Sequence, residues 1–395
     1  MEYTLMNKDR EVLSFETETK EGITLIKNES IIDESLLPPG FDGNIKNYIE
    51  KRRAPKHRKH IAKLLHQLNA DNIDGYIKVC NAASLTDTFW VSSSDNPLTW
   101  NDVSLYRNAF DENIARVAID GGDASFGSTS PELSVDGQYA KCWIRDNGKL
   151  SLLKRGDPFF GEREVFAEYY SSQIVNKICT QAVSYNIVKY HDKIATKCPI
   201  FTSEDKGFLP ISRLYPSNYG TEAVTFLESI QQYDDGDNYR RMVIADALIL
   251  NIDRHLGNFG YLIDNDALKP LQMAPVFDFN RAMLFNLTDD QFQREDMNNL
   301  FAQPCTDGGF VPNAKSVLTD EIRADLKNLQ GFTFCRSDIA NWPDSRLDKY
   351  EQFIDFQINQ ILGQTKVIIH DAPSIKRTTP KATAFKKTNS PELEK

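Results

Sequence analysis

Several short stretches of the chain alternate between hydrophobic and polar residues, and each of these predicts a β-strand. Residues 1–28 alternate in this way and predict a small hairpin near the start of the chain. Residues 139–145 and 149–155 alternate on either side of Asn147-Gly148, and Asn-Gly between two such runs is a strong hairpin signal. Further runs that predict strands are residues 115–120, 187–190, 193–198, 261–263 and 271–273.

Other stretches carry apolar residues at helical spacing and predict helices. After Pro55, for example, Ile61, Leu64, Leu65 and Leu68 fall on one face of a helix. Strands dominate from about residue 114 to 200 and helices dominate afterwards, which with the mixed module before them is an α+β arrangement. The other predicted helices are residues 41–53, 164–178, 221–232, 239–250, 320–328 and 345–361.

A polar loop follows directly after the strongly apolar helix predicted at 239–250. Within it Asp253 lies five residues before Asn258, and Asp278 follows after the hairpin predicted at 261–273. That hairpin would fold Asp278 back beside Asn258. Phosphoryl transfer needs such groups together, because a carboxylate orients the attacking hydroxyl while an amide and a second carboxylate hold Mg²⁺ on the nucleotide phosphates.

An Asp and an Asn five residues apart carry little meaning alone, since such pairs commonly lie in solvated loops. What favours the catalytic interpretation is the order of features: an apolar helix, the polar loop, the hairpin, and then Pro275-Val-Phe-Asp278. This order matches the catalytic segment in the helical lobe of a kinase.

A lysine and a glutamate upstream match the phosphate-binding pair of a kinase. Lys154 lies late in the second strand of the Asn-Gly hairpin, and Glu168 follows 14 residues later within the helix predicted at 164–178. An ion pair between them would hold the lysine on the α and β phosphates. Strand-end lysines and helix glutamates are usually surface charges, and Glu164, one helical turn earlier, is the rival partner.

The string Asn251-x-Asp253-x-His255-x-x-Asn258, followed by Pro275-x-Phe277-Asp278, resembles the HipA-like serine/threonine kinases, including the CtkA-type branch. The resemblance implies a two-lobed protein-kinase-like fold that uses ATP and Mg²⁺, with Mn²⁺ as an alternative ion. It implies that Asp253 is the catalytic base and that Asn258 and Asp278 are the metal ligands. His255 would brace the loop or take part in the chemistry, and the resemblance does not decide which.

A second point of resemblance is Ser134-x-x-Gly137-x-x-x-Lys141. In HipA-like kinases this stretch covers the phosphates and carries the autophosphorylated serine. Ser134 is therefore the candidate regulatory phosphosite, with Gly137 and Lys141 near the phosphates. An ordinary polar loop before a strand remains the alternative for Ser134, and neighbouring Ser128, Thr129 and Ser130 compete for the modification.

The strands predicted at 187–198 end where a kinase hinge should lie. Backbone groups around Cys198 and Phe201 would there meet the adenine edge of ATP. Both are accordingly candidate nucleotide-binding residues.

Composition narrows the function classes. The net charge of −10 argues against a general nucleic-acid binder, whose phosphate contacts need a basic surface. The six cysteines are scattered without metal-binding spacing, and no export signal or membrane-spanning run of apolar residues occurs. We therefore expect a reduced, cytoplasmic protein, with non-classical delivery left open.

Four segments are expected: an N-terminal α+β module at 1–114, a β-rich N-lobe at 115–200, a helical C-lobe at 201–365, and a basic, disordered tail at 366–395. The predicted function is an ATP- and Mg²⁺-dependent serine/threonine protein kinase that autophosphorylates. The alternatives are a small-molecule phosphotransferase and a non-catalytic binding protein on a kinase fold. The resemblance also makes an antitoxin-like protein partner plausible, and the protein substrate is unknown.

Overall fold

The structure is a computed structural model. The predicted helix at 221–232, most of the loop at 121–137 including Gly137, and the tail at 366–395 lie outside the residues that it describes. The described residues are 1–21, 23–55, 60–121, 131–134, 139–214, 236–306, 308–340 and 342–363.

The N-terminal part of the chain forms an antiparallel sheet that is larger than the predicted hairpin. Its order is β3-β2-β1-β4, so the last strand joins the sheet beside the first. Three helices share one apolar core with this sheet. The strands are β1 (Glu2–Asn7), β2 (Arg10–Lys20), β3 (Ile23–Ile31) and β4 (Phe89–Ser93), and the helices are α1 (Ile45–Arg52), α2 (Ile61–Gln67) and α3 (Ile73–Cys80).

The strand predicted at residues 115–120 is wrong. After the short helix α4 (Trp100–Val103), this stretch lies in helix α5 (Glu112–Asp120). Asp111 caps the helix, since its side chain accepts hydrogen bonds from the N–H groups of the second and third helical residues. A short apolar run fits both the strand periodicity and the helix periodicity, and the Asp111 cap is the feature that distinguishes the helix. The predicted boundary between residues 114 and 115 falls inside this helix.

The middle of the chain forms a second antiparallel sheet in the order β5-β6-β8-β7. The predicted Asn-Gly hairpin is present, and both Asn147 and Gly148 adopt the positive φ angles that its tight turn requires. Helix α6 (Arg163–Ile178) follows β6 and packs against the sheet. The strands are β5 (Lys141–Asp146), β6 (Lys149–Lys154), β7 (Asn186–Tyr190) and β8 (Lys193–Pro199).

The C-terminal part is built around a buried helix, α8 (Asp237–Ile249), which follows the short helix α7 (Ile211–Leu214). Helix α12 packs on it, and Gln357 Nε2 donates a 3.0 Å hydrogen bond to the carbonyl of Ala247. A three-stranded sheet, β11-β10-β9, lies at the end of the loop that follows α8. The remaining elements are β9 (Lys206–Pro210), β10 (Gly260–Asp264), β11 (Pro270–Met273), α9 (Asp289–Arg294), α10 (Phe310–Ser316), α11 (Asp320–Leu329) and α12 (Asp344–Leu362).

Polar contacts join the N-terminal module to the later part of the chain. From β1, Asn7 Nδ2 donates to the carbonyl of Asn265, in the turn between β10 and β11, at 2.9 Å. From α4, Trp100 Nε1 donates to Glu204 Oε1, just before β9, at 2.7 Å. The first of these contacts packs the N-terminal module against the hairpin that follows the polar loop. No helix in the described part of the chain has the length and apolar character needed to cross a membrane.

Candidate active site

The polar loop begins where α8 ends. Leu250 takes a left-handed conformation, with φ of 52°, which turns the chain out of the helix. Asn251 is fully buried, and its Nδ2 donates to Asp246 Oδ1 at 3.0 Å, back on the helix. Its Oδ1 accepts the backbone N–H of Asp253 at 3.2 Å. Asn251 thus fixes the start of the loop and the backbone of Asp253.

Arg254 links three segments of the site and was not identified from the sequence. Its guanidinium donates two hydrogen bonds to Asp246, at 2.9 and 3.1 Å. One further nitrogen donates to the carbonyls of Asn258, at 2.8 Å, and Phe277, at 2.6 Å. Because these two carbonyls share one donor, Asn258 lies beside the residue that precedes Asp278. Burial opposes the charge of Arg254, but Asp246 raises its pKa.

Asp253 and Asn258 lie at the two ends of the loop. Asn258 Nδ2 donates to the carbonyl of Asp253 at 2.8 Å, which fixes the orientation of the amide. The carboxylate of Asp253 accepts a 3.3 Å hydrogen bond from Arg281. Burial raises the pKa of Asp253, and the charge of Arg281 opposes that rise.

His255 contributes to the shape of this loop. Its Nδ1 accepts the backbone N–H of Gly257 at 3.0 Å, and the backbone N–H of His255 donates to the carbonyl of Asp253 at 2.8 Å. A Cβ atom at residue 257 would come within 2.9 Å of the imidazole ring. These contacts are those of a bracing residue, and a chemical role for His255 stays a prediction.

Lys154 lies between two carboxylates. Its Nζ is 2.5 Å from Glu168 Oε1 and 2.6 Å from Asp278 Oδ1. The second oxygen of Glu168 accepts a hydrogen bond from Thr196 on β8 at 2.6 Å. Lys154 is 5% exposed and Glu168 is 1% exposed, so the pair is buried.

Lys154 and its two carboxylate partners shift one another's pKa values. Burial would raise the pKa of Asp278, but Lys154, helped by Lys141, lowers it to about 2. Burial would also lower the pKa of Lys154, and its two carboxylate partners raise it instead. The pKa of Glu168 is raised, mainly by burial. Lys154 is therefore held charged, and Asp278 stays ionised.

Glu164, the rival partner for the lysine, lies elsewhere. It is buried, and its Oε2 accepts the backbone N–H of Asp157 at 3.3 Å. The carboxylate that meets Lys154 from α6 is that of Glu168, one turn further along the helix.

Comparison with known proteins places these features in context. No family model matches the chain. Over 148 residues it is 27% identical to the serine/threonine-protein kinase CtkA of Helicobacter pylori (strain J99), a match that covers 34% of this chain and 45% of the relative. The chain therefore spans less than half the length of that curated relative.

Solved structures extend the likeness over most of the chain. HipA from Shewanella oneidensis MR-1, solved with HipB and operator DNA, is similar with a TM-score of 0.51 and 12% identity, over 91% of this chain and 97% of that one. The chain resembles HipA-like kinases. The Helicobacter pylori proinflammatory kinase CtkA gives a TM-score of 0.41 and 18% identity over 56% of this chain and 90% of that chain.

The predicted resemblance and the α+β, kinase-like fold are thus confirmed. The roles predicted for individual residues stay predictions, and the remaining candidates lie as follows.

Two candidates belong to the stretch expected to cover the phosphates. Lys141 begins β5, pairs with Lys154 in the strand ladder and is buried. Ser134 ends a 3₁₀ turn, where its Oγ donates to the carbonyl of Ala83 at 2.6 Å and lies 2.8 Å from the hydroxyl of Tyr76. Ser134 is therefore held against the N-terminal module, and phosphorylation, which removes the hydroxyl hydrogen, would break the bond to Ala83.

The two hinge candidates lie near the end of β8, Cys198 within the strand and Phe201 just after it. Cys198 is buried in β8 opposite Leu152 of β6, and burial raises the pKa of its thiol to about 12. Phe201 packs against Phe208 and Phe277, with ring centroids 5.6 and 5.3 Å away. Phe201 therefore contacts the residue next to Asp278, which connects the hinge segment to the predicted metal-binding segment.

The predicted metal ligands suit a magnesium ion that arrives with a nucleotide. The described residues contain no group of three or more His, Cys, Asp or Glu side chains arranged to hold a metal alone. Asn258 offers an amide oxygen, and Asp278 offers a carboxylate kept ionised by Lys154. Mg²⁺ is usually held by one or two carboxylates together with phosphates and water, so this donor set fits.

Proposed function

We propose that this chain is an ATP- and Mg²⁺-dependent serine/threonine protein kinase that also phosphorylates itself. The observation that supports this most strongly is the buried lysine between Glu168 and Asp278, beside the loop that carries Asp253. Burying charged groups is costly, and buried ionisable groups with shifted pKa values concentrate at functional sites. The sequence match to a named serine/threonine kinase agrees with this proposal.

In the proposed reaction, the oxygen of a serine or threonine hydroxyl attacks the γ-phosphorus of ATP. The bond from that phosphorus to the oxygen bridging it to the β-phosphate breaks, and ADP leaves. The hydroxyl proton passes to the carboxylate of Asp253. Burial raises the pKa of that carboxylate, which strengthens it as a proton acceptor, while Arg281 holds it in place.

The lysine would bind the α and β phosphates. An ammonium group has three N–H donors, and Glu168 and Asp278 account for two of those of Lys154. The third can reach a phosphate oxygen while Glu168 keeps the side chain in position. Asn258 and Asp278 would hold Mg²⁺, which neutralises the phosphate charge when it is bound.

Incubation with γ-labelled ATP and a cell extract tests the proposal. The wild-type chain should label itself and extract proteins, and Asp253→Asn should reduce the rate about 10²- to 10⁴-fold without loss of fold. Asp290→Asn, an equivalent change at an exposed position in α9, is the matched control. Label found only on small molecules, or no transfer by the wild type, would contradict a protein kinase.

We also propose a protein partner that restrains the kinase, and a cytoplasmic location. The partner is suggested by the HipA structure, in which HipA of a toxin–antitoxin system is in complex with HipB and operator DNA. The location is supported by the six cysteines, all described and all free thiols. Purification of the chain from its own cells would test the partner. A stoichiometric complex without kinase activity supports the proposed partner, and a fully active chain in no complex contradicts it.

A further inference from the structure

A cavity of about 190 Å³ lies beside the loop that carries Asp253. Most of its wall is apolar, and three polar side chains complete it. The lining residues are Leu250, Ile252, Arg281, Leu284, Phe285, Asn286, Phe301, Ala302 and Gln303.

This cavity adjoins the predicted catalytic base from two directions. Ile252 immediately precedes Asp253 in the chain. Arg281 lines the cavity and also donates to the carboxylate of Asp253 at 3.3 Å. Any group in the cavity is therefore close to a hydroxyl that is placed on Asp253.

The volume suits one large apolar side chain. A buried apolar cavity of about 150 Å³ in another protein binds benzene. Sites for drug-sized ligands usually reach about 300 Å³ or more, so a whole nucleotide is too large for this cavity. Its size and lining match a phenylalanine, leucine or methionine side chain.

Two further features indicate that the side chain belongs to a polypeptide. Nε of Arg281 is buried and has no hydrogen-bond partner among the residues that the structure describes. A buried N–H of this kind is stabilised by an acceptor such as a peptide carbonyl. Phe301 lines the cavity yet is 65% exposed, so an arriving chain segment would cover it.

We propose that this cavity receives an apolar side chain of the protein substrate, close in sequence to the serine or threonine that is phosphorylated. The inference rests on the proposed kinase function and names its substrate class. A residue spans at most about 3.6 Å, and the cavity begins one residue from Asp253, so the apolar residue should lie within about three positions of the acceptor.

Peptide libraries with a central serine test the proposal. Each library fixes one flanking position as Phe, Leu, Met, Ala, Asp or Lys, and transfer from γ-labelled ATP is measured. Burial of a large apolar side chain in the cavity should raise kcat/KM about 10- to 100-fold over alanine at one flanking position.

Two variants connect the preference to the cavity. Ala302→Leu should fill the cavity and abolish the preference for Phe while Mg²⁺–ATP still binds. Phe301→Ala should weaken the preference through KM, and it removes a side chain too exposed to be needed for folding. Phe159→Ala, which changes an 84% exposed phenylalanine outside the cavity, is the matched control and should keep the full preference.

The outcomes separate this inference from the proposed function. Transfer to serine peptides at equal rates for Phe and Ala libraries overturns the cavity assignment alone. A preference that survives in both cavity variants does the same. If the wild type is a dimer and the Phe301→Ala variant is not, the cavity is filled by a second copy of the chain, which overturns the proposal. No transfer to any peptide or protein overturns both.

Discussion

Replacement of Arg254 by methionine tests how the site is held together. The side chain is buried. Its guanidinium donates two hydrogen bonds to Asp246 and also donates to the carbonyls of Asn258 and Phe277. Methionine fills a similar volume but offers no donor. The carboxylate of Asp246, a residue that is 6% exposed, would lose its cationic partner and keep the hydrogen bond from Asn251 Nδ2.

The expected loss of stability is large. Removing one member of a buried ion pair costs about 3–5 kcal/mol, because the other charge is left uncompensated. Loss of the hydrogen bonds to the two carbonyls adds a smaller free-energy cost, and the two costs are not simply additive. Arg294→Met, at an exposed position in α9, should change the free energy of unfolding by no more than about 0.5 kcal/mol.

A double variant separates stability from catalysis. Arg254→Met combined with Asp246→Leu removes the unpaired charge and should recover most of the lost stability, measured by thermal unfolding. It should not recover kcat, since nothing then ties Asn258 to the segment before Asp278. A single variant as stable as the wild type, or a double variant with full kcat, would refute this account of Arg254.

Other consequences concern the charged groups directly. Lys154→Met should abolish detectable phosphoryl transfer, and calorimetry should show weaker ATP binding. Asp278→Ala should remove the dependence of ATP affinity on Mg²⁺, again by calorimetry. Because the pKa of Asp278 is lowered, its contribution to stability is present above about pH 4 and lost as the pH falls toward 2, so melting temperatures of the wild type and Asp278→Asn should converge there. The acid limb of kcat/KM should lie above the usual aspartate range, since burial raises the pKa of Asp253. Ser134→Glu should weaken ATP binding, and unchanged affinity would contradict its regulatory role.

Local sequence patterns could locate the polar groups because short-range geometry brings them together. The hairpin between Asn258 and Asp278 closes through a compact turn, so residues 20 apart in the chain become neighbours. Likewise, Lys154 ends strand β6 and Glu168 lies on the next helix, α6. The two side chains meet because this helix packs against the sheet. Candidates of this kind follow from the order of features along the chain together with the resemblance to HipA-like kinases.

Other parts of the structure depend on contacts that spacing does not reveal. Arg254 donates to backbone carbonyls. Every residue has a backbone carbonyl, so no residue type in the sequence identifies these acceptors. Strand β4 pairs with β1 across more than 80 residues, so the N-terminal hairpin could be predicted but not its sheet. The stretch at 115–120 fits two periodicities, and the hydrogen bonds that the Asp111 cap accepts from the first turn distinguish the helix.

The two aspartates of the site differ because of the cations that surround them. Asp278 lies against Lys154 and near Lys141, which lower its pKa. At Asp253 burial raises the pKa, and the strongest opposing charge is that of the partly exposed Arg281. A carboxylate with a low pKa stays ionised and suits a cation, while one with a raised pKa is the better proton acceptor. Environments that separate the pKa values of neighbouring acids commonly mark such a division of roles. The order along the chain alone cannot distinguish these two aspartates, but their neighbours support the proposal that Asp253 accepts the proton and Asp278 binds the metal.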